Sequence, residues 1–150
     1  MKKFLSFFAN LFFIFLFACN SSEQTDKPEN DIDAARDFIR ASLDGKFDDA
    51  KKYLLQDSSN LQFLNAVERN YAKMDADSRS GYRSASINVH LVEPVNDSTT
   101  IVVYSNSFKN DHDTLRVLKK ENNWYVDLKY LFTQDRDSIY QTIIRTDSLK

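Results

Sequence analysis

The spacing of apolar residues changes once along this chain, and the change restricts the fold more than any other feature. In the first half they recur every three or four positions. Ala35, Phe38, Ile39 and Leu43 run up to Gly45; Phe47, Ala50, Tyr53 and Leu54 follow; then come Leu61, Leu64, Val67, Tyr71 and Met74. That period puts them on one face of an α-helix. From residue 87 the spacing drops to two: Ile87, Val89, Leu91; Leu115, Val117; Trp124, Val126, Leu128. Alternation marks a half-buried strand. Residues 100–107 are apolar and β-branched, which adds a fourth strand. Helices that precede the strands, with short turns between the strands, define an α+β fold: N-terminal helices packed on a curved four-stranded antiparallel sheet.

Punctuation refines this outline. Asp31 is an N-cap for the first helix and Gly45 its left-handed stop, and the polar run 57–60 caps the third. Residues 75–82 read as loop, and 94–98 and 109–112 as turns. Glu121-Asn122-Asn123 makes a tight hairpin because Asn accepts positive φ. Beyond residue 132, Ile139, Tyr140, Ile143 and Ile144 suit a C-terminal helix, although their β-branching also admits a strand.

The N-terminus indicates an address. Lys2 and Lys3 precede an almost wholly apolar run, residues 4–18, too short for a spanning helix of ~20 residues and shaped like a secretory signal. It ends at Leu16-Phe17-Ala18-Cys19, which resembles the bacterial lipobox. The resemblance implies cleavage before Cys19 and lipid on its sulfur. Other uses of this thiol lack partners, since the chain has one cysteine and therefore neither a disulfide nor a thiolate cluster. Residue 20 is Asn, not the Asp that commonly retains lipoproteins at an inner membrane, so the expected address is the cell envelope, at the outer membrane. Residues 19–31 contain no aliphatic or aromatic side chain and form a tether reaching at most ~40 Å. The expected organisation is signal 1–18, tether 19–31, folded domain 32–132 and helical extension 133–150.

Charge and composition exclude several functions. The formal charge is −2 before any processing, and loss of Lys2 and Lys3 makes the remainder more acidic, so nucleic acid is not an expected partner. Only Gly45 and Gly81 supply glycine, which rules out Gly-rich phosphate loops. The run Asp75-Ala-Asp77-Ser-Arg79-Ser-Gly81 fails as a calcium loop: Arg79 takes a ligand position, Gly81 falls one residue late, and Ser86 stands where the closing Glu belongs. No metal or other cofactor is expected.

Two motifs carry a family resemblance. Ala35-x-x-Phe38-x-x-x-x-Leu43-x-Gly45-x-Phe47-x-x-Ala50-x-x-Tyr53-Leu54, with strands ending in Trp124-Tyr125-Val126, resembles a bacterial family of lipoproteins of unknown function. That family belongs to the nuclear-transport-factor-two-like superfamily, whose fold is an antiparallel sheet wrapped around helices into a cone. Relatives often carry Asp-Gly or Asn-Gly before the Trp, where this chain has Asn122-Asn123. The resemblance implies a cone with an interior pocket and leaves activity open, because one fold hosts isomerases, dehydratases, ligand binders and scaffolds.

Alternation assigns Ile87, Val89, Leu91, Ile101, Val103, Ser105, Leu115, Val117, Lys119, Trp124, Val126 and Leu128 to the inner face of the sheet. Among these only Lys119 titrates, so no catalytic residue emerges. The outer face receives His90, Val92, Val102, Tyr104, Leu118 and Tyr125 and is too apolar for open solvent. Residues 139–144 or a second copy of the chain would cover it. His90, Tyr104, Tyr125 and Trp124 are the candidate ligand or interface residues, and Cys19 is the lipidation site. His112 belongs to a polar hairpin tip. The expected function is a lipid-anchored, non-catalytic domain that binds a protein or a small apolar ligand. The alternatives are a small-molecule isomerase, dehydratase or hydrolase of the cone fold, and a homodimeric structural protein of the envelope.

Overall fold

The computed structural model describes residues 27–133. The expected signal, Cys19, most of the expected tether and the expected extension from residue 134 on lie outside the described residues. Helix α1 (Asp31–Asp44) starts one residue earlier than expected, at Asn30, whose side-chain oxygen accepts from the Asp33 N–H at 2.9 Å. Its buried stripe is Ala34, Ala35, Phe38, Ile39 and Ala41. It stops at Gly45 with φ 75°, a conformation open mainly to glycine. A Cβ at Gly45 would also stand 2.6 Å from the Tyr71 ring, so the same residue lets α3 approach. Short α2 (Phe47–Lys52) follows. Asp57 then caps α3 (Ser58–Ala72), accepting from the N–H groups of Ser59 and Asn60 at 3.0 Å.

Residues 75–82 form no loop. Asp75 accepts from the Ser78 N–H at 2.7 Å and starts α4 (Ala76–Ser84). This helix buries no residue, and so short a segment is marginal by itself in water. Its C-terminal end is held from α1, because the Arg40 guanidinium donates to the carbonyls of Ala85, Arg83 and Tyr82 at 2.8, 3.1 and 3.3 Å. Gly81 admits the Phe108 ring, which a Cβ there would meet at 2.3 Å.

Strands β1 (Ile87–Asn96), β2 (Thr99–Asn106), β3 (His112–Lys120) and β4 (Asn123–Asp127) form an antiparallel meander in chain order. Glu121 and Asn122, with φ 50° and 63°, make the two-residue turn between β3 and β4. The segment after α2 covers the β4 edge through a parallel bridge, in which the Leu55 N–H donates to the Val126 carbonyl at 2.9 Å. On the opposite edge, β1 carries Pro94 and two register shifts, features that discourage further strand pairing. The chain then enters α5 (Lys129–Thr133), the short C-terminal helix of the described residues. No helix among the described residues is long and apolar enough to cross a membrane.

The register corrects the assignment of faces. Val102 stands opposite Leu115, Thr100 opposite Val117, and Val117 opposite Val126, so all share the face that packs on the helices. Tyr104, opposite Val89 and Asp113, is therefore on the helix side and not on the outer face. Ile101, Val103 and Ser105 point away from the helices. β2 is apolar at four successive positions, 101–104, and alternation cannot phase such a run. In β1 the register passes from Val89 opposite Tyr104 to Leu91 opposite Val103, leaving His90 as an extra residue. This bulge moves Leu91 to the outer face and Val92 to the helix side.

Candidate functional site

The helix-facing side of the sheet is filled at one end and open at the other. At the open end, α1, α3, α4 and the sheet border a cavity of about 750 Å³ that opens to solvent. Its apolar wall consists of Phe38, Leu43, Val67, Met74, Leu115, Leu128 and Leu131, and three tyrosines, Tyr71, Tyr82 and Tyr104, add aromatic faces. Asn70, Asn106, Lys109, Asp111 and Asp113 add polar groups, of which Asn70, Lys109 and Asp111 are exposed and form the rim.

Each wall residue is placed by a local cause. Phe38 and Leu43 continue the α1 stripe, and Val67, Tyr71 and Met74 continue that of α3. The Tyr71 hydroxyl donates to the Leu43 carbonyl at 3.3 Å, and its ring meets Phe47 edge-on at 5.6 Å. Tyr82 is fixed edge-on to Phe108 at 5.0 Å. The Asn106 side chain accepts from the N–H groups of Phe108 and Lys109 at 3.2 and 3.0 Å, which shapes the turn at the rim. Burial, reinforced by the Asp113 carboxylate, pushes the Tyr104 phenol above its ordinary range. Tyr104 is thus a neutral hydrogen-bond donor at any physiological pH.

Asp113 lies two residues before Leu115 on the same face. Alternation carried two residues further back would have placed it beside Lys119 among the inward titratable groups. An inner face with Lys119 as its sole ionisable residue is therefore overturned.

A polar network seats α5 over the cavity. Asn60, fully buried, accepts from the N–H groups of Leu128 and Lys129 at 2.7 and 3.3 Å and donates to Asp57 at 2.8 Å. The Lys129 ammonium reaches Asp57 at 2.9 Å, and buried Asp127 pairs with Arg116 at 2.5 Å. The Asn60 backbone N–H, then Lys129, hold the Asp57 carboxyl down at about 2. These contacts fix Leu128 and Leu131 as cavity wall. Those from Asn60 to Leu128 and from Lys129 to Asp57 join residues 68 and 72 positions apart, beyond the reach of any local pattern.

The remaining candidates lie elsewhere. Trp124 is half-buried at the filled end of the sheet, with the Lys119 ammonium 5.5 Å from its ring centroid, and does not line the cavity. Tyr125 is half-buried on the outer face opposite Leu118. His90 is exposed on the outer face against His112, with ring centroids 4.3 Å apart. Among the described residues no three His, Cys, Asp or Glu side chains converge as a metal site.

Comparison with protein-family models, with curated proteins and with solved structures finds no match to this chain. The class the fold defines is an α+β domain, N-terminal helices followed by a four-stranded antiparallel sheet, with no family identified.

Proposed function

We propose that the chain is a lipid-anchored cell-envelope lipoprotein whose domain holds a small apolar ligand in the cavity between helices and sheet. The cavity carries this reading: about 750 Å³ is within the range of small-molecule sites, ~300–1,000 Å³, and its walls have the mixture of apolar surface and few polar groups that such sites use. Tyr104 and Asp113 at one end would orient a polar group on the ligand, while the aliphatic wall takes its body. The signal-like N-terminus and the lipobox around Cys19 support the anchor, and the motifs from Ala35 to Leu54 support a lipoprotein of the nuclear-transport-factor-two-like cone.

One observation favours a second reading, a small-molecule isomerase, dehydratase or hydrolase. Tyr104 and Asp113 stand opposite each other on the cavity wall, a phenol that can hydrogen-bond a substrate oxygen beside a carboxylate that can take a proton. Asp113→Asn would abolish turnover in that case and would merely alter affinity in the first.

Photolabelling of membranes carrying the full chain with a small aryl diazirine tests the binding reading. Label is expected on Tyr71 and Tyr104, and it should fall in Val67→Trp, whose indole intrudes into the cavity. Equal labelling of both proteins contradicts the site. For the anchor, cells fed labelled palmitate should tag the wild type and leave Cys19→Ala untagged.

A further inference from the structure

The chain contains two histidines, and the fold brings them together. His90 is the extra residue of the β1 bulge, and His112 opens β3; both are exposed and both lie on the face of the sheet turned away from the helices. Between them, on β2, is Ser105, the register partner of His112. The His90 Nε2 is 2.8 Å from the Ser105 hydroxyl, and the two imidazole rings are 4.3 Å apart between centroids at an interplanar angle of 44°. Ser105 is only 1 % exposed although it faces outward, whereas the two imidazoles above it are open to solvent.

The strands that carry the two histidines are not neighbours. Without the bulge β1 would alternate in step with β2; the inserted residue re-aims the His90 side chain, and bulges recur at sites where a side chain must be redirected. A divalent ion that binds imidazole nitrogens at ~2.0–2.1 Å bridges two nitrogens up to ~4 Å apart, and exposed rings whose centroids are 4.3 Å apart are close enough for one nitrogen of each to reach a common ion. Imidazole suits copper, zinc and nickel, and copper(II) binds such nitrogen sites most tightly in the divalent series.

We propose that His90 and His112 form a binding site for a divalent transition metal, copper(II) above all. Two protein nitrogens leave the remaining coordination positions to water or to a small exogenous ligand, so the site is open rather than structural. It lies on the opposite face of the sheet from the cavity and does not depend on that cavity being a ligand site.

The test uses the full chain in detergent, titrated with copper(II) and followed by electron paramagnetic resonance. The wild type is expected to bind one equivalent with two nitrogen ligands. His90→Ala and His112→Ala should each weaken binding at least about tenfold, since losing even a ligand's outer-shell partner costs roughly 10–100-fold, and the double variant should lose the two-nitrogen spectrum. Because both side chains are exposed, Trp124 fluorescence should show that every variant remains folded. Absence of the two-nitrogen spectrum in the wild type would overturn the proposal. An unchanged spectrum and affinity in the double variant would do the same, since the ion would then sit elsewhere.

Discussion

Along its first half α1 meets the sheet through Ala34 and Ala35, in one cluster with Ala50, Leu54, Val117 and Val126, none of which exposes any surface. Along its second half the same helix presents Phe38, Ser42 and Leu43 to a cavity of about 750 Å³. Small side chains let helix and sheet close in the first region. In the second, Tyr71 and Tyr104 line the space left between the layers. A cleft of this size, open to solvent at its rim, leaves apolar side chains of both layers uncovered, so its walls depend on the rest of the fold for support. The support is visible in Arg40, which caps α4, and in Asn60, which seats α5.

Four measurements would break or sharpen this contrast. The largest effect belongs to the filled half: Leu54→Ala should cost ~2–5 kcal/mol in urea unfolding followed by Trp124 fluorescence, because its site cannot collapse. If Leu43→Ala, on the cavity wall, costs as much, the two halves do not differ in packing. Next comes Asn60→Ala, which strips the buried Leu128 N–H of its acceptor, while the Lys129 N–H keeps Asp127 at 3.2 Å, and should destabilise by ~1–3 kcal/mol.

A smaller effect concerns pH. The Asp57 carboxyl is depressed from 3.8 to about 2 on folding, so its contribution is fully present above the unfolded value and is lost as pH falls through the folded one. Stability should therefore decline between roughly pH 4 and 2, and Asp57→Ala should flatten that part of the profile. Smallest of all is Val67→Trp, whose indole enters open space and should avoid the ~1–3 kcal/mol that overpacking costs in a filled core. A larger loss of stability there would mean that the space is not available to an occupant.

The sequence displayed the parts whose causes are local. Gly45 stops α1, Asp57 caps α3, and Asn122 turns the β3–β4 hairpin, each through the conformation or hydrogen bond its residue type favours. Helix α4 was hidden because Ala76–Ser84 has no apolar face and depends on Arg40, more than forty residues away. The face of β2 was hidden because Ile101, Val102, Val103 and Tyr104 satisfy either phase, and only pairing with Leu115 chooses. That choice decides the candidate site, since it turns Tyr104 from the outer surface into the cavity. His90 and His112 looked like unrelated polar residues until the bulge set one against the other.

The central claim is that the open half of the helix–sheet interface is a ligand site, and native mass spectrometry of the full chain in detergent tests it most directly. The wild type should carry one additional small-molecule mass that Val67→Trp does not carry, with both proteins equally folded by far-UV circular dichroism. The same added mass on both proteins, or none on the wild type, would contradict the account.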